Sequence, residues 1–270
     1  MTTTNKIIKY LAIGFGCFLT FLIIYTVAIG FYGLTELLFS NKKNDNDNLN
    51  QNKVCNYTSS FNELDIDIKN SSLIIKTGDE FLVETNSENI SCNNEGNKLV
   101  IKESKSSFLK TKDIKTVTIY IPNNMFLNEI DLETGVGKVN IDNLNTNNLE
   151  LSFGVGDVLI NDIKVNYAKI ETGVGKVTIK NGNFSNLDLD TGIGEVNITS
   201  LIKTVGKIDT GVENLNLNLI GKDYKIKVNK GLGVTKINGN EVSDNQVLGN
   251  GNAFVFVDGG IGKIDINYTK

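Results

Sequence analysis

The chain has 270 residues and a net charge of -4, with 27 basic against 31 acidic side chains and no histidine. All 27 basic residues are lysines, so arginine is absent as well. Without histidine there is no Ser–His or Cys–His nucleophile pair and no imidazole metal ligand, and without arginine there is no bidentate phosphate clamp. The acidic balance also argues against a nucleic-acid partner, which requires a basic stripe.

The N-terminal region, residues 1–40, is predicted to anchor the chain in a cell membrane. Residues 10–32 carry no charge, and a helix of this length, at about 1.5 Å per residue, spans a hydrocarbon core of about 30 Å. Lys6 and Lys9 precede this stretch and Glu36 follows it, which favours a single-pass topology with the C-terminal body outside the cytoplasm. A cleaved secretory signal is the alternative, and it exports the body too.

A polar linker, residues 41–52, separates the predicted anchor from the body. Its sequence, NKKNDNDNLNQN, has too few apolar residues to build a core. Residues 53–129 contain strand-like runs without a strict period, and we interpret them as an irregular β cap with the first coils. Cys55 and Cys92 both lie in this exported part, so a disulfide between them is permitted.

A 19-residue repeat dominates the rest of the body, residues 130–270. Glycine–apolar–glycine triplets recur at this interval, with a degenerate copy at Gly211 and two later copies at longer intervals. The paired glycines predict bends that need a positive φ or a close approach of two backbones. These glycines are Gly135, Gly137, Gly154, Gly156, Gly173, Gly175, Gly192, Gly194, Gly231, Gly233, Gly260 and Gly262.

Apolar residues occupy alternate positions on both sides of each triplet, which predicts two short strands per unit, each with one buried face. A second bend, rich in Asn and Asp, follows near 142–143, 161–162 and 181–182. A unit this short cannot close a core, so we predict an all-β fold in which 19-residue coils stack as a parallel β-solenoid. Antiparallel hairpins that turn at the triplets are the alternative.

One outward column of the predicted stack is acidic. Two positions before the first glycine stand Glu133, Ser152, Glu171, Asp190 and Asp209. Lys169 and Lys207, two residues upstream on the same face, are expected to offset these charges. Carboxylates in such a row have the chemistry to hold a hard cation such as Ca²⁺, although a charged face in water is the more ordinary explanation.

A second outward column alternates in sign. Three positions after the first glycine stand Lys138, Asp157, Lys176 and Glu195. Stacked units would place these side chains next to each other as opposite charges, which fits the predicted register.

The segments TVTIYIP (116–122), NEIDLETGVGKVNIDNL (128–144), LELSFGVGDVLI and LDLDTGIGEVNI together resemble the bacterial "putative adhesin" β-strand-repeat family. The resemblance covers roughly 54–270, and it implies an all-β solenoid at the cell envelope, often membrane-tethered, with no established catalytic residues. This chain departs from the pattern at Glu213, which replaces the second glycine, and in the longer interval before Gly260.

The sequence therefore predicts a membrane-anchored, envelope-exposed solenoid that binds an unidentified surface ligand or acts as a spacer, without a cofactor and without an enzymatic activity. A polymerising scaffold similar to bactofilins is one alternative, with self-association through the solenoid ends, because the last unit shows no obvious cap. An envelope-stress regulator or sensor is another. Among enzymes, a two-carboxylate glycosidase is the class that the composition leaves open.

Overall fold

The structure is a computed structural model that describes residues 52–56, 61–104 and 115–268. Every helix or strand in these ranges is a β-strand: β1 (Asn52–Asn56), β2 (Glu63–Ile68), β3 (Ser72–Gly78), β4 (Leu82–Thr85), β5 (Ile90–Glu95), β6 (Lys98–Glu103), β7 (Thr116–Pro122), β8 (Leu127–Asp142), β9 (Asn145–Asn161), β10 (Lys164–Leu219), β11 (Tyr224–Asn229), β12 (Leu232–Ile237), β13 (Asn240–Glu241), β14 (Gln246–Leu248), β15 (Ala253–Asp258) and β16 (Ile261–Tyr268). The predicted all-β body is thus confirmed.

The predicted membrane anchor, residues 1–40, lies outside the described residues, as does the predicted linker up to residue 51. In the part of the chain that the structure describes, no helix is long and apolar enough to cross a membrane.

The repeat units stack in parallel with an offset of one 19-residue unit. Ile130 of β8 pairs with Leu149 of β9, which pairs with Ala168 of β10. Beyond the bend, Val139 pairs with Val158 in the same way. β8, β9 and β10 therefore do not form hairpins at the glycine triplets, and each unit adds one coil to the stack.

The core lies between the two halves of each coil, where the four alternating apolar columns meet. Every member of these columns is at most 3% exposed, and burial of each such side chain contributes about 1.5–3 kcal/mol. The members are Ile130, Leu149, Ala168 and Leu187; Leu132, Leu151, Ile170, Leu189 and Ile208; Val139, Val158, Val177, Val196 and Leu215; and Ile141, Ile160, Ile179, Ile198 and Leu217.

The two glycines of a triplet are required for different reasons. At Gly154, the first glycine of its triplet, a Cβ atom would overlap the carbonyl oxygen of Gly135 in the neighbouring coil. At Gly175, a second glycine, a Cβ atom would overlap the carbonyl oxygen of Gly156, and φ is also +150°. At these two positions a side chain would displace the neighbouring backbone, so the paired glycines allow the coils to stack closely.

The predicted Asn- and Asp-rich second bend lies at 142–143, 161–162 and 181–182, and in each of these three coils one residue is left-handed. Asn143, Asp162 and Asn181 have φ values of 56°, 50° and 53°. Their short polar side chains tolerate this conformation better than other non-glycine residues do.

At the C-terminal end, the order of coils in space differs from their order in the chain. β15 and β16 pair with β10 on one side and with β11 and β12 on the other. The last unit of the sequence therefore lies inside the stack. The expectation that it forms an uncapped edge is wrong, because β11 and β12 take the outer position and carry the short antiparallel strands β14 and β13.

The N-terminal end is arranged in the same way. β2 and β3 pair with β8 on one side and with β6 and β7 on the other, so the first coil is also internal. Antiparallel strands β5 and β4 cover the outer coil, and β1 covers β4. Such strands prevent an outer coil from serving as an open template for another chain.

A buried carboxylate holds the bend of the first coil, which has no glycine triplet. Oε2 of Glu103 accepts hydrogen bonds from the backbone N–H groups of Lys69, Asn70 and Ser71 at 2.8, 2.8 and 3.2 Å. The Ser71 hydroxyl donates to Oε1 at 2.6 Å. Glu103 is 5% exposed, so these bonds replace its contact with water.

A disulfide joins Cys55 in β1 to Cys92 in β5, with their Cα atoms 6.4 Å apart. It connects a strand that covers β4 to a strand that covers β6. The sequence permitted this bond, but sequence spacing does not reveal which strands become neighbours.

Replacing Gly154 by alanine tests whether close backbone approach controls the stack. We expect Gly154→Ala to lower the free energy of unfolding by about 3 kcal/mol, because the neighbouring backbone must move. The matched control is Gly96→Ala, where φ is +76° but nothing lies within 4 Å of the added methyl group; its expected cost is about 1 kcal/mol. Denaturant unfolding measures both, and equal costs would contradict the explanation.

A second substitution tests the carboxylate at the first bend. Glu103→Gln should lower the free energy of unfolding by about 2–3 kcal/mol. A neutral amide oxygen accepts weaker hydrogen bonds than a carboxylate does, and the new NH₂ group would face backbone N–H donors. The exposed Glu95→Gln should change stability by less than about 0.5 kcal/mol. Thermal melting at fixed pH compares the two, and similar melting temperatures would rule out the proposed role of Glu103.

Candidate functional site

An open groove of about 860 Å³ runs along one side of the glycine bends, across the coils of β8, β9 and β10. All of its charged lining residues are acids: Asp131, Glu133, Glu150, Glu171 and Asp190. Gly135, Gly154, Gly173 and Gly192 line it as well, so backbone without side chains forms part of its floor. We call this surface the acidic groove.

The structure brings most of the predicted acidic column together in this groove. Glu133, Glu171 and Asp190 line it with Ser152, whereas Asp209 is not part of the lining. Glu133 pairs with Ser152 in register, and Ser152 pairs with Glu171. The column therefore contributes one side chain per coil.

Lysines pair with several of these acids, including the two lysines that the sequence singled out. Lys169 Nζ lies 2.8 Å from Glu171 and 3.0 Å from Glu150, and Lys207 Nζ lies 2.6 Å from Asp209. The bond to Glu171 is the largest cause of the raised pKa of Lys169. Exposed pairs of this kind contribute little stability, so their main effect is to neutralise part of the acidic face.

Two acids of the groove have no such lysine beside them. Within the described ranges, neither Asp131 nor Asp190 has a lysine at ion-pair distance. Partial desolvation raises the pKa of Asp131, and the in-register carboxylates of Asp65 and Glu150 raise it further. The groove therefore has a negative potential that a cationic group would relieve.

The carboxylates do not converge on a point. Across the described residues, no group of three or more Asp, Glu or Cys side chains is placed to hold a metal ion. The carboxylates of Glu133, Glu171 and Asp209 contact Lys69, Lys169 and Lys207 instead. The groove is thus a linear row of charges.

An apolar ridge runs beside the groove, and the sequence analysis did not predict it. It consists of the middle residues of the triplets, which we call the bend ridge: Val136, Val155, Val174, Ile193, Val212, Ile261 and Leu232, in spatial order. Exposure reaches 54% at Ile193 and 71% at Leu232. The signal was present in the sequence, since every triplet has a branched apolar residue between its glycines.

Glu213 is a buried acid at the position of the second glycine in the degenerate triplet. Its place in the sequence does not indicate that it is buried. It is 7% exposed, and burial, helped by Asp190, raises its pKa to about 7. The Thr191 hydroxyl lies within hydrogen-bond distance of both Glu213 Oε1 and the Asp209 carbonyl oxygen. A hydroxyl has one hydrogen, so a protonated Glu213 that donates to Thr191 lets the threonine donate to the carbonyl.

Asparagine side chains form hydrogen-bonded ladders along the stack. Asn147 Nδ2 donates to Asn128 Oδ1 at 2.9 Å, and Asn166 Nδ2 donates to Asn147 Oδ1 at 2.7 Å. Each step equals one repeat. These residues lie on the outside of neighbouring coils, where a side-chain amide can both donate and accept.

Comparison with known proteins places this fold in a family. A family model described as Toastrack DUF4097 matches residues 61–247. The chain belongs to the Toastrack DUF4097 family. This assignment confirms the predicted resemblance to the "putative adhesin" repeat proteins. No curated protein matches the chain.

Solved structures resemble this Toastrack DUF4097 protein at low identity. A putative adhesin from Bacteroides fragilis is 17% identical, with a TM-score of 0.51, and the match covers 79% of this chain and 95% of that one. A putative cell adhesion protein from Clostridium sporogenes is 14% identical (TM-score 0.34; 81% and 100% covered), and a putative lipid binding protein from Parabacteroides distasonis is 12% identical (TM-score 0.35; 82% and 96% covered). The likeness to the first of these supports the fold.

Because Glu213 is buried, we expect the stability of this Toastrack DUF4097 protein to depend on pH. The folded state holds the Glu213 proton more tightly than the unfolded chain does, because the pKa rises from 4.5 to about 7. Stability should therefore fall as pH rises from about 5 to about 8, by roughly 2 kcal/mol from this residue. Glu213→Gln should remove this part of the pH dependence and be more stable than the wild type at pH 8.

Urea unfolding across this pH range measures the effect. Glu241→Gln is the control, because Glu241 is exposed at the far end of the stack and should leave the pH dependence unchanged. A Glu213→Gln variant whose stability follows the wild-type curve would show that Glu213 is not the titrating group.

Proposed function

We propose that this chain is a non-enzymatic, adhesin-like binding protein of the cell envelope. The acidic groove is the observation that carries the proposal. It is open, it crosses several coils, and it offers charged and small side chains at regular steps. A long surface of this kind suits an extended ligand better than it suits a small molecule, which needs an enclosed pocket.

The chemistry of the groove supports binding over catalysis. The chain has no histidine or arginine, and the groove acids Glu133, Glu150 and Glu171 are ion-paired with lysines. Glu213, with its pKa of about 7, does not line the groove. A general acid would have to reach the ligand, so its position gives no support to a glycosidase.

The location of the protein is part of the proposal. The uncharged stretch over residues 10–32 supports a single-pass membrane anchor with the body outside the cytoplasm. The Cys55–Cys92 disulfide agrees with an oxidising compartment. A tethered, exposed stack would present its groove to the envelope.

The scaffold alternative has less support. Stacking of one body on the next needs open coils at both ends, but the outer coils carry antiparallel strands. No contact in the described residues favours a stress sensor over a binder.

A lysine placed in the groove tests the proposal. In Ser152→Lys the new cation would lie between Glu133 and Glu171 in register, neutralise the groove and fill it. The full chain should then cosediment with isolated cell-envelope fragments about threefold less than the wild type. Ser243→Lys, an exposed site outside the groove, should bind as the wild type does. Equal binding of all three proteins, or none, would refute the proposed contact surface.

A further inference from the structure

We propose that the bend ridge and the acidic groove together bind an extended cationic segment of a partner protein. In this segment lysine or arginine would alternate with branched apolar residues. The inference rests on the proposed function, because it names the class of partner for the same surface.

The bend ridge supplies the apolar half of this surface. Beside the groove, Val174 and Ile193 are 37% and 54% exposed. Val212, Ile261 and Leu232, which are 48%, 51% and 71% exposed, continue the ridge beyond the groove, because Val212 pairs with Ile261 and Ile261 pairs with Leu232. A soluble surface that exposes a contiguous apolar row usually uses it for contact with a partner.

The acidic side chains of the groove favour a cationic partner. Asp190 and Ile193 belong to the same bend, and Asp190 has no lysine at ion-pair distance in the described part of the chain. Asp131, at the other end of the groove, also has no lysine at ion-pair distance in the described residues. A second copy of this chain placed on the ridge would face these acids with its own, and an anionic lipid surface would be repelled in the same way. A cationic partner is attracted.

The shape of the acidic groove favours an extended strand as the ligand. In the coil of Gly192, this glycine lies between Asp190 on the groove side and Ile193 on the ridge. A strand laid over the glycines would direct successive side chains to opposite sides. One set would then meet the carboxylates and the other the ridge, which is the reason for the alternating pattern that we propose.

Fluorescence anisotropy with a labelled peptide in which lysine alternates with valine tests the proposal on the full chain. We expect saturable binding that weakens as salt is added, and no binding of a glutamate–valine peptide. Ile193→Ser should weaken binding about tenfold, because the apolar contact is lost. Asp190→Asn should weaken it about threefold.

Two matched variants control for general effects on the fold. Val205→Ser changes an exposed apolar residue on another column, 40% exposed, and Glu241→Gln removes an acid at the end of the stack. Both should bind the lysine–valine peptide as the wild type does. Equal losses in these variants and in Ile193→Ser would overturn the assignment of the site.

Three other outcomes also overturn the proposal. One is binding of phosphatidylglycerol vesicles that Ile193→Ser abolishes, which would make the ridge a lipid surface. Another is a wild-type dimer, measured by sedimentation, that dissociates into monomers in the Ile193→Ser variant. The third is absence of peptide binding while envelope fragments still bind through the groove, which leaves the proposed function intact and removes only the partner class. Loss of envelope binding from the wild type would instead remove the proposed function.

Discussion

The structure depends on how closely the backbones approach at the glycine bends. At Gly154, Gly175 and their equivalents the neighbouring carbonyl oxygen occupies the place of a side chain. This contact fixes the register of one coil on the next, because a shift by one residue would put a bulky side chain against a backbone. The buried columns, the acidic groove and the bend ridge all follow from that register, since each repeats once per coil.

Features that repeat along the chain could be predicted from the sequence. The buried columns, the Asn- and Asp-rich bends at Asn143 and Asp162, and the lysines that pair with the acidic column each follow from a fixed spacing. Repeat spacing does not predict contacts between residues that are not one repeat apart. Glu103 holds a bend 32–34 residues earlier in the chain, and its sequence position gives no sign of this.

The coil order was the main structural feature that the sequence did not predict. The apolar columns of β15 and β16 have the same alternating pattern as those of the other coils, so the pattern alone does not choose their neighbours. The insertion of β15 and β16 beside β10 is a long-range pairing, with partners 49 residues apart. The acidic column was predicted, whereas the bend ridge was not, because the triplets were interpreted only as bends.

The inserted last coil also constrains how the body is made. β11 and β12 cannot take their final neighbours until β15 and β16 have been synthesised, because the later coil lies between them and β10. A chain that emerges from its N-terminus first must therefore keep this part of the stack open until β15 and β16 arrive. Removal of β15 and β16 by proteolysis would take out an internal layer and separate β11 and β12 from the rest of the stack.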